Sequence, residues 1–205
     1  MNKVLKILGM VLLMLFTLFL LFLLFIFIRS KLWVRNFQAD INPEYIANEP
    51  EEFEEALNEK VEEYVLSQED TDFISFTPKE VAQIVYGSIS EMVEGSNMEI
   101  TNVYAEPSVG LWKICGRSKL RDIEEFNIWV CADVTKDNIQ TAQLYVTDLT
   151  IQGFSMKKIY PKVLTEINQG IAEALVTANK NGFVGRVFEN MELLENTFII
   201  KGSLY

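Results

Sequence analysis

The sequence of 205 residues has no histidine, and this absence closes most of the usual routes of enzyme catalysis. Histidine is the common base beside a serine or cysteine nucleophile, and it is the side chain that exchanges protons near neutral pH. Glycine-rich phosphate loops, G-x-S-x-G elbows and calcium-loop spacings are also missing from the sequence. We therefore expect a protein that is not an enzyme and that needs no cofactor.

Metal-binding side chains and basic residues are scarce too. With two cysteines, Cys115 and Cys131, and no histidine, the chain lacks the ligands of a common zinc site, and we expect no metal. The 18 lysines and arginines stand against 29 acidic residues, which gives a net charge of −11. Because a nucleic-acid partner requires a basic surface, we do not expect the protein to bind nucleic acid.

The negative charge is concentrated in residues 49–72, which contain eleven acidic residues and one lysine. An apolar stripe at helical spacing runs through the same segment, so the pattern predicts an acidic amphipathic helix followed by a linker. The solvated face of such a helix accounts for the charge. A site for cations or for a basic partner is the alternative interpretation.

A long apolar run near the amino terminus is the strongest signal. From residue 7 to residue 28 every side chain is apolar except Gly9 and Thr17, and at about 1.5 Å per residue this helix reaches across a hydrocarbon core of roughly 30 Å. No small-x-small cleavage site follows, so residues 1–28 predict an uncleaved leader and a single-pass transmembrane anchor in the cell membrane. Basic residues are nearly equal in number on the two sides of the apolar run, so their count does not decide the orientation of the anchor. The short leader favours an amino terminus inside and a domain outside the cytoplasm.

After the anchor, the pattern predicts a juxtamembrane stalk over residues 29–48, the acidic helix, and one α+β domain over residues 73–205. A helix should open the domain, because Thr77, Pro78 and Glu80 have the spacing of a capping box with proline at the first helical position. Alternation of period two then predicts an antiparallel meander, and helical spacing returns before two closing strands. The predicted strands are 98–106, 109–120, 126–135, 139–151, 184–193 and 197–204, and the later helix is 156–180.

Folding the second and third of these strands about residue 123 predicts their register. The opposed pairs are then Lys113 with Asp133, Arg117 with Trp129, and Leu120 with Phe126. Apolar side chains fall on one face, which we assign to the core, and a shift of one residue would destroy this separation. Cys115 lies directly opposite Cys131 on the more polar face. These cysteines are either a disulfide in an oxidising compartment or two free thiols, and the sequence leaves both interpretations open.

The succession of parts resembles a known group of proteins. An anchor precedes the capped helix that begins Phe76-Thr77-Pro78-Lys79-Glu80-Val81, and after the meander Leu149-Thr150-Ile151-Gln152-Gly153-Phe154 leads into Tyr160-Pro161 and a long helix. This order is similar to that of YpmS-like anchored extracytoplasmic proteins and, more loosely, of tubular lipid-binding (TULIP-like) and LmeA-like phospholipid-binding domains. The resemblance implies a curved antiparallel β-sheet packed against long amphipathic helices, with an apolar groove for acyl chains between them.

The residues that would line such a groove are apolar positions of the two helices and of one sheet face. These ligand-groove candidates are Val81, Ile84, Val85, Ile89, Trp112, Ile114, Ile128, Val130, Leu144, Val146, Leu164, Ile167 and Ile171. The same positions suit a filled core equally well, so the sequence leaves both a groove and a solid interior open.

Two functions therefore compete. The first is a membrane-anchored extracytoplasmic binding module for a lipid or another apolar ligand, whose anchor keeps the domain close to the bilayer. The alternative is a non-catalytic structural or assembly subunit that binds other membrane proteins. The expected partners are thus the membrane itself and either a lipid or membrane proteins.

Overall fold

The structure, a computed structural model, describes the backbone of residues 2–48, 54–121, 123–136, 142–180 and 185–205. Side chains are described for all of these except residues 2–9, 54, 55 and 123–126. The chain divides into two compact units, Met1–Asp40 and Ile41–Tyr205.

The first unit is one helix, α1, which spans Asn2–Asp40. Its apolar side chains from Met10 to Ile28 are largely exposed, and by length and composition this helix is long and apolar enough to cross a membrane. The predicted apolar helix is thus present, and it continues through residues 29–40, which the sequence assigned to a stalk. Neither proline nor glycine occurs in that stretch, so nothing interrupts the helix before Asn42-Pro43.

The second unit has an α+β fold with two antiparallel sheets. Six strands form the larger sheet in the order β1-β3-β4-β5-β6-β7, and three form the smaller sheet in the order β2-β9-β8. The strands are β1 Ile46–Ala47, β2 Thr71–Phe76, β3 Met98–Glu106, β4 Leu111–Leu120, β5 Ile123–Thr135, β6 Tyr145–Ile151, β7 Phe154–Ser155, β8 Arg186–Leu193 and β9 Phe198–Leu204. The helices are α2 Glu54–Leu66, α3 Pro78–Met92, α4 Met156–Ile159 and α5 Lys162–Lys180.

The capping box predicted for α3 is present. Thr77 Oγ1 accepts a hydrogen bond from the Glu80 backbone N–H at 3.3 Å, and the Glu80 carboxylate accepts one from the Thr77 N–H. Lys60 of α2 donates to the other carboxylate oxygen of Glu80 at 2.8 Å. Burial disfavours the charged carboxylate, but these hydrogen bonds outweigh burial and lower the pKa of Glu80.

Three sequence assignments differ from the structure. Residues 41–48 belong to the domain and not to a stalk, because Ile46 and Ala47 pair with β3 and Ala47 is buried. β2 was not predicted; its partner strand is β9, far along the chain. The helix predicted over residues 156–180 is broken between α4 and α5, because Pro161 disfavours helical geometry at Tyr160, whose φ and ψ are −145° and 71°.

The register predicted for the hairpin of β4 and β5 is confirmed over most of its length. Lys113 pairs with Asp133, Cys115 with Cys131, and Arg117 with Trp129. The prediction is wrong at the hairpin end, where Leu120 pairs with Ile123 and not with Phe126. β5 starts at Ile123, earlier than expected, and the register shifts between Lys119 and Leu120, so that residues 124–126 lie between the partners Ile123 and Asn127.

A disulfide joins Cys115 and Cys131 across this hairpin. The expectation that their face of the sheet is polar is wrong at this point, because Tyr104, Cys115, Trp129 and Cys131 are each no more than 3% exposed. Disulfide formation replaces two thiols by an apolar link, and the two aromatic rings in neighbouring positions bury it. The six-stranded sheet therefore buries side chains on both faces.

The main core lies between the two sheets and helices α2, α3 and α5. Trp112 of β4 is 1% exposed, its ring packs at 6.2 Å from that of Phe198 in β9, and its indole N–H donates to the Leu194 carbonyl at 2.8 Å. Phe198 in turn stacks on Phe76 of β2. These three rings connect the larger sheet to the smaller one, and α3 and α5 pack against the larger sheet beside them.

Candidate ligand-binding cleft

Helix α5 is fixed to both sheets by two asparagine side chains. The Asn168 amide accepts from the Val146 N–H at 2.7 Å and donates to the Val146 carbonyl at 3.0 Å. Asn179 makes the same pair of bonds with Phe188, at 2.8 and 3.1 Å. A side-chain amide carries one donor group and one acceptor, as a peptide does, so each asparagine satisfies a strand backbone as a neighbouring strand would.

The two asparagines hold α5 as a bridge between sheets. They are eleven residues apart, which is about three helical turns and about 16 Å, so they lie on one side of the helix. One binds β6 of the larger sheet, and the other binds β8 of the smaller sheet. The helix surface between the two attachment points faces the space between the sheets.

An apolar cleft of 310 Å³ lies between α5, β8 and the segment that leads into β6. Helix α5 contributes four residues at positions i, i+3, i+4 and i+7, counted from Ile171. Two of them, Ala174 and Ala178, have small side chains and so leave space in the cleft. The described residues that line the cleft are Ala142, Leu144, Ile171, Ala174, Leu175, Ala178, Phe188 and Met191. All eight are apolar, so this described lining suits a hydrocarbon surface and includes no charged side chain.

The structure brings two of the thirteen predicted groove residues, Leu144 and Ile171, into the cleft. Most of the others belong to the core or pack against it: Val81, Trp112, Val146 and Leu164 are buried, and Val85, Ile89, Ile114 and Ile167 are partly buried. Ile128 and Val130 are partly buried on β5. Ile84 is 38% exposed on α3. The predicted positions are therefore mainly core positions, and the cleft lies further along α5.

Six of the eight described lining residues of the cleft were not among the predicted groove residues: Ala142, Ala174, Leu175, Ala178, Phe188 and Met191. The apolar stripe of the later helix, which continues to Leu175 and Ala178, was the available signal for its helical side. For Phe188 and Met191 no local signal existed, because β8 reaches α5 only through the fold. Alternation identifies a strand but does not identify the helix that packs on it.

A second and larger cleft, of 630 Å³, lies between α2 and β2 and has a mixed lining. Its described lining residues are Lys60, Glu63, Tyr64, Leu66, Ser67, Asp72, Phe73, Ile74 and Ser75. Hydrogen bonds from the Ser67 side chain and the Phe73 N–H lower the pKa of Asp72. Charged groups on both walls make this cleft unsuited to a hydrocarbon chain.

Behind this cleft, Arg186 is completely buried and donates to backbone carbonyls. Its Nε bonds the Tyr64 carbonyl at 3.0 Å, and its two terminal nitrogens bond the carbonyls of Ser67 at 2.9 Å, Glu69 at 3.4 Å and Gly202 at 3.4 Å. The guanidinium also lies over the Tyr64 ring, 4.7 Å from its centre. A cation at the carboxyl end of α2 stabilises that end of the helix, so Arg186 fastens α2 to the smaller sheet.

Carboxylates on the larger sheet have structural partners. Asp148 accepts hydrogen bonds from Ser155 Oγ at 2.9 Å, from the Leu149 N–H at 2.8 Å and from the Lys157 N–H at 3.1 Å. Burial opposes ionisation, but these bonds prevail and lower the pKa of Asp148. Opposite it, burial raises the pKa of Asp133, an effect that Lys113 offsets in part and Asp148 reinforces.

Among the residues that the structure describes, no group of three or more acidic or cysteine side chains could hold a metal ion. No protein-family model, curated protein or solved structure matches the chain. The cleft on α5 is distinguished by a described lining that is wholly apolar.

Proposed function

We propose that the protein is a membrane-anchored binding module whose domain holds a lipid acyl chain or a similar apolar ligand outside the cytoplasm. The single observation that carries this proposal is the cleft between α5, β8 and the segment before β6, whose eight described lining residues are all apolar. Ligand sites are typically apolar concavities of about 300–1,000 Å³, and this cleft is at the lower end of that range. A cleft of this volume can hold one acyl chain or part of one.

The anchor supports the same proposal. A helix that is long and apolar enough to cross a membrane precedes the domain, and an anchored domain meets lipid at high effective concentration. We propose that the helix is an uncleaved single-pass anchor with its amino terminus inside. The Cys115–Cys131 disulfide favours an oxidising compartment for the domain.

The resemblance to YpmS-like and TULIP-like proteins motivates one further part of the proposal. We propose that the larger sheet curves around α5, so that the cleft continues as a groove along the helix. In that arrangement the bridge made by Asn168 and Asn179 sets the width of the groove.

Photo-crosslinking of the full chain in phosphatidylcholine nanodiscs tests the proposal. A palmitic acid analogue that carries a diazirine is added, irradiated and mapped by mass spectrometry after proteolysis. We expect label on peptides that contain Ile171, Phe188 or Met191. Label confined to α1, with none on these peptides, would contradict the proposal.

Two variants of α5 provide the comparison that this experiment needs. Ala174→Phe fills the cleft from its helical side and should abolish most of the labelling of β8. Val176→Phe adds the same ring to the same helix at a side chain that is 52% exposed, and it should leave labelling unchanged. If both variants label like the original chain, the cleft is not the site. In that case the alternative of an assembly subunit without an internal ligand is favoured.

A further inference from the structure

The corner between α4 and α5 exposes an unusual combination of side chains. Ile159 is 62% exposed and Tyr160 is 47% exposed, although both are large and apolar in most of their surface. Lys157, Lys158 and Lys162 surround them and are exposed as well. Pro161 creates the corner, and the chain turns inward directly after it, where Leu164 is buried.

The corner has a fixed shape. The Asp148 carboxylate accepts the Lys157 N–H and the Ser155 hydroxyl, which attaches the start of α4 to β6. The Tyr160 N–H donates to the Met156 carbonyl at 2.7 Å, and the Leu164 N–H donates to the Pro161 carbonyl at 3.2 Å. The two exposed side chains thus project from a backbone that is hydrogen-bonded on both sides of the turn.

The charge of this segment contrasts with that of the chain. Three of the six residues from Lys157 to Lys162 are lysines and none is acidic, whereas the whole chain carries −11. Two carboxylates face the lysines: Asp148, near Lys157, and Glu166, which lies 3.5 Å from the Lys162 ammonium. The Lys162–Glu166 pair is solvent-exposed, with both side chains more than half accessible, so it contributes little and the lysine stays available to another anion.

The corner and the start of the domain lie at opposite edges of the larger sheet. One continuous row of paired residues crosses the larger sheet, and its members are Ile46, Tyr104, Cys115, Cys131, Thr150 and Ser155. Ile46 follows the point where the chain arrives from α1, and Ser155 directly precedes the corner. Five strand spacings of about 4.8 Å put the two ends of the row about 24 Å apart.

Exposed aromatic and aliphatic side chains flanked by lysines are the combination that binds the headgroup layer of a bilayer. The rings and aliphatic side chains enter the interface, and each lysine near an anionic surface adds electrostatic attraction. We propose that residues 157–162 form a second, peripheral membrane contact of the domain, with an anionic phospholipid surface as its partner. This inference rests on the membrane anchor of the proposed function and is independent of the apolar cleft.

A fluorescent label at the corner tests the contact. The full chain is reconstituted in nanodiscs of phosphatidylcholine alone or mixed with phosphatidylglycerol, and Ile159→Cys carries an environment-sensitive nitrobenzoxadiazole group. The native cysteines are buried in a disulfide, so the new thiol reacts selectively. We expect a blue-shifted emission and strong quenching by doxyl-labelled lipid in the mixed discs, both largely lost at high salt. Val176→Cys, on the exposed side of α5, is the matched control and should report an aqueous environment.

Replacement of Lys157, Lys158 and Lys162 by glutamine should return the label at position 159 to an aqueous emission. The proposal is overturned if that label is aqueous in mixed discs, as it would be for a corner that binds an acidic protein partner. It is equally overturned if the lysine variant emits like the parent. Loss of the chain from the discs on alkaline carbonate extraction would instead refute the anchor, and unchanged fatty-acid labelling in Ala174→Phe would refute only the cleft.

Discussion

The two sheets of the domain are fastened in different ways. In the larger sheet, the Cys115–Cys131 disulfide joins strands that are neighbours in sequence and in space, with a separation of 16 residues. In the smaller sheet, the Arg186 side chain binds carbonyls of Tyr64, Ser67 and Glu69, which lie 117 to 122 residues away. The first link strengthens a hairpin that local pairing already defines. The second link connects segments that are distant in sequence and that no local backbone pairing brings into contact.

The two links should differ in how much stability is lost when each is removed. A hairpin without its disulfide keeps its ladder of backbone hydrogen bonds and its register. Without Arg186, four carbonyls lose a charged donor, and the carboxyl end of α2 loses its attachment to the sheet. We therefore expect the smaller sheet to depend more on one side chain than the larger sheet depends on its disulfide.

The largest expected effect is that of Arg186→Ala. Because hydrogen bonds to charged groups contribute about 1.5–3 kcal/mol each and several are lost together, the free energy of unfolding should fall by about 4 kcal/mol. Urea denaturation of the full chain in detergent micelles, followed by tryptophan fluorescence, measures it. Arg186→Lys keeps the charge but not the planar fork, so it should recover only part of the loss. A fall of under about 1 kcal/mol for the alanine variant would show that α2 is held by its apolar stripe alone.

Removal of the disulfide should have the next largest effect. For the double variant Cys115→Ala and Cys131→Ala we expect a loss of about 3 kcal/mol, because a loop of this length constrains the unfolded chain by about that amount. The same denaturation experiment applies, with the reduced parent protein as its control. A loss larger than that of Arg186→Ala would reverse the comparison between the sheets.

Gly202→Ala tests how closely the parts of the smaller sheet approach each other. A Cβ at this position would lie 2.5 Å from Tyr64 Oη and 2.9 Å from the Val187 carbonyl oxygen, so we expect a loss of about 2 kcal/mol. The Tyr64 hydroxyl is buried and finds no hydrogen-bond partner among the described residues. Tyr64→Phe should therefore be nearly neutral alone and should restore part of the stability of Gly202→Ala. Strictly additive effects in the double variant would argue against this contact.

The smallest expected effects concern Asp133 and Asp148 in the larger sheet. The raised pKa of Asp133 means that its ionisation costs stability as pH rises through that pKa, so Asp133→Asn should stabilise the domain slightly at neutral pH. The lowered pKa of Asp148 means that its contribution is present above the ordinary aspartate pKa and is lost as pH falls through the lowered value. Asp148→Asn should therefore destabilise the domain at neutral pH. Thermal unfolding across acidic and neutral pH measures both, and effects of the same sign would contradict this assignment.

The features predicted correctly from sequence are those governed by neighbours along the chain. The apolar run predicts α1, the spacing of Thr77 and Glu80 predicts the start of α3, and alternation with short connections predicts the pairing of Cys115 with Cys131. The register shift after Ile123 and the helix break at Pro161 are also local, but both were missed. The predicted strand pairing and the predicted helix were each extended through these residues without interruption. The cleft was predicted only in part: the stripe on α5 was visible, but its partner strand β8 was not.

The sequence by itself determined the anchor-like helix, the α+β class and the register of the central hairpin, because these depend on hydrophobic length, period and turn position. Only the tertiary structure decided that Arg186 is buried rather than exposed, that Ile46 and Ser155 share one row of a sheet, and that α5 bridges two sheets over an apolar cleft. These arrangements depend on contacts between distant segments, whose loop-closure cost is repaid only by the packing of the whole domain. No local pattern encodes which of the possible partners a buried donor or an apolar stripe will meet.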